Sequence, residues 1–323
     1  MLYPLTFHPV LKERVWGGRN LARLYGKLLP PGVPVGESWE LTDRPEGVSV
    51  IANGPLAGKD LRWLMERQGE EILGVASAAG ARFPLLIKIL DAQEKLSLQV
   101  HPPAPLAVRM GGEPKTEMWY IADATPDADL FVGLKRGVTA AEFAQKISTG
   151  AVAECFHRIA VKPGDAMFLP SGRVHALGAG NVIFEIQQNS DTTYRVFDWN
   201  RLGLDGKPRD LHIAQSLASI DFNDFEPGLV STESSLQHGL EVRPLVRDEL
   251  FNVNLCHAPA GAPVTPRTAT MEILGVTAGR LRIEFEGGEI LLNAGQFCLL
   301  PARRAEARIN AKEAATFLSV WRG

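Results

Sequence analysis

GDAMFLPSGRVHALGAGN, residues 164–181, is the stretch that decides the fold. Lys162-Pro163-Gly164-Asp165 reads as a turn and Ala166–Leu169 as a strand. Pro170–Gly172 reads as a second turn, which presents His175. Gly164, Pro170, Gly172, His175 and Asn181 follow the spacing G-x5-P-x-G-x2-H-x5-N. A lone histidine is more often structural than a ligand, so His175 gains meaning only from partners elsewhere.

Those partners lie in LSLQVHPPAPLAVRMGGEPKTEMWY, residues 96–120. LSLQVH reads as a strand, and residues two apart in a strand share a face. Ser97, Gln99 and His101 therefore project to one side, with Leu96, Leu98 and Val100 on the other. Pro102-Pro103 ends the strand. HPPAPLAVRMGG reads as surface loop, with a turn at Gly111-Gly112. TEMWYI resumes a strand and can return Glu117 to the same site. Two imidazoles, a carboxylate and an amide oxygen make a donor set that suits zinc, with room for water or substrate.

The pattern at 164–181 resembles the second motif of cupins, small jelly-roll barrels that hold a metal inside. The C-terminal stretches MEILGVTAGRLRIEFEGG and EILLNAGQFCLLPARRAEARI repeat the layout, with Gly295 and then Pro301. The position matching His175 holds Glu306, read as lying in a strand, so this repeat lacks the metal ligands. The expected fold is mainly β: two cupin-type jelly-roll barrels, with a few packing helices inserted in the first. Residues 1–240 are expected to form the catalytic, metal-binding domain, and residues 241–323 a degenerate cupin-like domain.

The helical insertions are expected at about 60–74 and 139–153. In the first, Asp60 can cap, Leu61, Leu64, Met65 and Ile72 make an apolar stripe, and Gly74 ends the helix. In the second, Thr139 and Glu142 form a capping box. A further short helix is expected near His212–Ile220. Alternation in GESWEL sends Glu37, Trp39 and Leu41 to one face, either as ordinary packing or as a pocket wall. Lys88, in the apolar strand FPLLIKIL, belongs either at an edge or reaching into a polar cavity. Arg195 could pair with Asp191 or Asp198, or point into the barrel mouth. His157 reads as structural.

Composition narrows the class. At 323 residues the chain can bury a large core, and 45% hydrophobic with 22% charged residues is ordinary for a globular protein. A net charge of −3 with no basic block argues against nucleic acid. Three scattered cysteines, Cys155, Cys256 and Cys298, fit neither a zinc ribbon nor a disulfide framework and suggest a reducing cytoplasm. No segment approaches the roughly 20 apolar residues of a membrane span.

The whole set of motifs resembles the type I mannose-6-phosphate isomerases (phosphomannose isomerases), in their shorter bacterial form. The features are WGG at 16–18, GESWE at 36–40, FPLLIKIL at 83–90, LSLQVHP at 96–102, PKTEMWY at 114–120, LPSGRVHALG at 169–178 and NSDTTYRVFDWNR at 189–201. The resemblance implies one zinc ion per chain, held by Gln99, His101, Glu117 and His175. It implies Arg195 as the active-site arginine and places Lys88, Lys115 and Asp191 at pocket positions. Lys115 is then a candidate for catalysis, and Lys88, Ser97 and Asp191 for binding the sugar phosphate. The implied reaction interconverts mannose 6-phosphate and fructose 6-phosphate through a cis-enediol. The alternatives are a non-catalytic sugar-phosphate-binding bicupin and an iron oxygenase of the cupin type, which Gln99 disfavours.

Overall fold

A computed structural model describes every residue except Ser77 and Ala79. Eleven strands between Val10 and Phe197 form two facing antiparallel sheets. The six-stranded sheet runs Ala166–Leu169, Glu117–Ala124, Asn181–Gln188, Leu85–Ala92, Val35–Leu41, Val10–Gly18. The five-stranded sheet runs Phe156–Ala160, Asp129–Leu134, His175–Leu177, Leu98–Val100, Tyr194–Phe197. Leu90, Trp119, Ile121 and Ile183 from the first sheet pack inside against Leu130, Val132 and Leu177 from the second. Each strand alternates, so its other face needs a second cover. The outer face of the five-stranded sheet buries Leu98, Val100, Phe131 and Val196 beneath Phe143 of the helix Ala140–Ser148 and its neighbours.

A second pair of sheets uses residues 235–322. Its interior is filled by Leu274, Val276, Leu281, Ile283, Leu292, Ile309 and Phe317. The two pairs share a large core. Ile87, Ile89, Phe184 and Ile186, on the outer face of the six-stranded sheet, pack with Val253, Ile273, Phe297, Leu318 and Val320. The start of the chain crosses over as well: Leu5 exchanges backbone hydrogen bonds with Leu299, at 2.9 and 2.8 Å. The mainly β fold and the inserted helices match expectation, and each jelly roll takes the form of a pair of stacked sheets.

The helix Leu61–Leu73 is capped by Asp60, whose side chain accepts from Trp63 N–H at 2.6 Å, and ends on Gly74 at φ 80°. The remaining differences from the sequence reading have local causes. The second insertion is not one helix: Ala140–Ser148 stops before Gly150, at φ 73°, and a separate 3-10 turn covers Val152–Cys155. HPPAPLAVRMGG is no loop; Pro103 leads into a short helix, Ala104–Arg109. Leu41 faces the core between the two sheet pairs, opposite to Trp39, because the register slips between Trp39 and Leu41. Leu96 lies inside the first pair of sheets and not with Leu98, since the strand begins only at Leu98. Glu306 is exposed and precedes the strand Ala307–Ala311.

Candidate metal centre

His101, Glu117 and His175 arrive from three places. His101 follows the strand Leu98–Val100, Glu117 opens its strand, and His175 opens the strand that pairs with Gln99. One ligand atom from each lies within 4.8 Å of the others, and all three side chains are buried. His175 Nε2 is 3.2 Å and His101 Nε2 3.7 Å from Glu117 Oε1. Each imidazole is held from behind: His101 Nδ1 is 2.9 Å from Thr192 O, and His175 Nδ1 is 2.9 Å from Arg173 O. Donation from Nδ1 fixes the tautomer and leaves the Nε2 lone pair facing Glu117.

The charges suit a cation. Burial, with Lys115 adding to it, pushes His101 down to about 3, so the imidazole is neutral and able to ligate. Burial alone would raise the Glu117 carboxyl. The adjacent Lys115 ammonium opposes that, and the group is held well below the usual carboxylate range. Lys115 Nζ pairs with Glu117 Oε2 at 2.5 Å, whereas Oε1 has no hydrogen-bond donor and faces both imidazole Nε2 atoms. A buried carboxylate oxygen without a donor, facing two oriented imidazoles, fits a divalent metal. Gln99 stands beside them, its Nε2 3.3 Å from His175 Nε2 and its Oε1 3.3 Å from Ser97 Oγ. A half-turn of the amide would present the oxygen instead.

Gln99 and Lys115 also line a cavity of about 550 Å³. Its walls include Ser97, Lys88, Asp191 and Arg195, so the structure brings together all the sequence-selected side chains. Lys88 occupies an interior strand of its sheet and reaches this cavity. Its Nζ lies 3.2 Å from Glu185 Oε2 and 3.8 Å from Glu37 Oε2. Burial would lower the Lys88 ammonium, but Glu185 and Glu37 outweigh it and hold it protonated. Arg195 makes no ion pair with Asp191 or Asp198. Its Nη1 donates to Asp210 O at 2.8 Å, and Asp198 is taken by Arg201 and Arg209.

Sequence reasoning missed Glu185, Arg14 and Arg209, all of which line the cavity. Glu185 accepts from Trp119 Nε1 at 3.0 Å. A carboxylate within the apolar run VIFEIQ was the available signal. Glu37, read as packing or pocket wall, is pocket wall: it accepts from Arg14 Nε at 2.8 Å and Trp39 Nε1 at 2.6 Å.

A profile for the phosphomannose isomerase type I catalytic domain matches residues 5–124. The chain is 38% identical over 312 residues, 96% of each chain, to a protein of Bacillus subtilis described as a probable mannose-6-phosphate isomerase. It is 35% identical over 302 residues, 93% of each chain, to the mannose-6-phosphate isomerase of Streptococcus mutans. The crystal structure of a Bacillus subtilis mannose 6-phosphate isomerase superposes with a TM-score of 0.89 at 33% identity, over 98% of this chain and 99% of that one. The buried His-Glu-His set and this near-complete coverage agree: the chain belongs to the type I phosphomannose isomerase family.

Proposed function

We propose that the chain is a zinc-dependent aldose–ketose isomerase that interconverts mannose 6-phosphate and fructose 6-phosphate through a cis-enediol. The observation that carries this is Glu117, buried with Oε1 lacking a donor, facing His101 and His175 next to a cavity whose walls carry charges of both signs, Lys88 and Arg195 among them. His101, Glu117, His175 and the Gln99 oxygen would hold one zinc ion. Bound there, zinc would supply Lewis acidity that stabilises negative charge developing on O1 or O2.

The protein's own groups do the rest. Arg195 is a permanent cation, and its buried Nε has no partner. We assign it to the charge of the enediolate and to substrate orientation. Lys88 stays protonated between Glu37 and Glu185, so it serves as a hydrogen-bond donor to substrate and not as a base. Lys115 bridges Glu117 Oε2 and, at 3.3 Å, His101 Nε2. We assign it to fixing the carboxylate and to handling protons at the reacting carbons. Ser97 and Asp191 are assigned to sugar hydroxyls. Residues 1–240 are proposed as the catalytic part, with 241–323 as its support. All three cysteines are free and buried, which suits the cytoplasm as the proposed location.

Mannose 6-phosphate deuterated at C2 tests the proton-transfer route. An enediol gives a product with detectable solvent hydrogen at C1 and a slowed rate with the labelled sugar. Complete retention of deuterium at C1 would show a hydride shift, and no conversion at all would remove the isomerase reading.

A further inference from the structure

The strand Tyr194–Phe197 is the last in its sheet and pairs only with Leu98–Val100, so its other side is an open edge. Along that edge an unpaired N–H and C=O need partners. At Arg195 the partner is His212. Arg195 N–H donates to His212 Nδ1 at 3.2 Å, and His212 N–H donates to Arg195 O at 2.8 Å. Two residues earlier, Asp210 O accepts from the Arg195 guanidinium at 2.8 Å. The same segment therefore holds both the backbone and the head group of Arg195.

We propose that His212 is a positioning residue for Arg195, its Nδ1 taking the place of the ladder carbonyl that the sheet edge lacks. The imidazole is itself placed from two sides. Its ring lies against Tyr194, with centroids 6.0 Å apart. Its backbone begins the helix Ile213–Ser219, and just beyond that helix Asp221 N–H donates to Gly172 O at 2.9 Å. Gly172 belongs to the turn that presents His175. The helix thus links the placement of Arg195 to that of a candidate metal ligand. Accepting at Nδ1 requires a neutral imidazole with its proton on Nε2. Burial, and then the neighbouring Arg195, keep His212 below the usual imidazole range, while Asp210 acts in the opposite sense.

The inference rests on the isomerase reading for its kinetic consequence only. His212→Asn keeps an acceptor at the δ position; His212→Leu does not. Misplacing a group that acts in the transition state costs kcat more than KM, so H212L is expected to lose about 10- to 100-fold in kcat with KM within about threefold. Its Arg195 amide, followed by NMR hydrogen exchange, is expected to exchange faster. H212N is expected to stay near wild type in both. Unchanged thermal midpoint and metal content in H212L would confirm a local effect. Wild-type kcat in H212L, unchanged exchange of the Arg195 amide, or equal damage in H212N would overturn the proposal. Should H212L not fold, H212Q, which also lacks a δ acceptor, is judged by the same criteria. If wild-type protein does not convert mannose 6-phosphate, the isomerase reading falls, and the Arg195 amide exchange still decides the role of His212.

Discussion

Glu37 shows how one side chain ties the stability of this chain to its cavity. Burial would raise its carboxyl, but Lys88 and Arg14 outweigh that and hold it down to about 2. A carboxyl depressed in the folded state stabilises above its unfolded value, near 4.5, and loses that contribution as pH falls toward 2. Between about pH 5 and pH 3 the loss amounts to about 2 kcal/mol. Urea unfolding of wild type and Glu37→Gln at both pH values checks this: the wild type should lose more stability, and equal slopes would contradict it. Individual site residues were legible unequally. Lys88 announced itself as a charge in an apolar strand. Glu185 carried the same signal, but its partner was not legible; only the fold sets it opposite Lys88 in register. The ambiguity at Arg195 was likewise not local. Asp198 is already engaged by Arg201 and Arg209, and no spacing rule predicts that competition.

At the scale of the element, the short motifs mark places where strands come close. A Cβ on Gly17 would sit 2.3 Å from Gly36 N, so the WGG segment and the strand carrying Glu37 approach backbone to backbone. Backbone cannot swing aside as a side chain can. Gly17→Ala is expected to cost about 1–3 kcal/mol by overpacking. It should also lower activity, because the displaced strands carry Arg14 and Glu37. A urea midpoint and a kcat both equal to wild type would contradict that reading. Elements with strong end signals were read closely from sequence: Asp60 and Gly74 bound the first insertion, and Ala166–Leu169 is a strand as expected. Elements without them were not. The helix Ala104–Arg109 has two prolines at its entry and no side-chain cap, and the sequence resembled a loop. The bulge that turns Leu41 away from Trp39 left no trace in the alternation, since a one-residue slip is decided by the partner strand.

Across the whole molecule, the two pairs of sheets divide polar and apolar work. The first holds the buried His-Glu-His set and the cavity, whereas the second fills its interior with aliphatic side chains and Phe317. Gly295 and Pro301 carried the expectation of a second jelly roll, and residues 235–322 do form a second pair of sheets. The shared core between the pairs was not legible, because each strand's outward apolar residues look the same whether they face a helix or another sheet. Nor was the crossing of Leu5 to Leu299, which joins opposite ends of the chain. In the proposed function, isomerisation of mannose 6-phosphate requires one metal at His101, Glu117 and His175. The most direct test is a coupled assay of fructose 6-phosphate formation on the protein as purified, after chelation, and after zinc is restored. Activity is expected to disappear with the chelator and to return with zinc at one equivalent per chain. Undiminished turnover in metal-free protein, or none in the zinc-loaded protein, would contradict it.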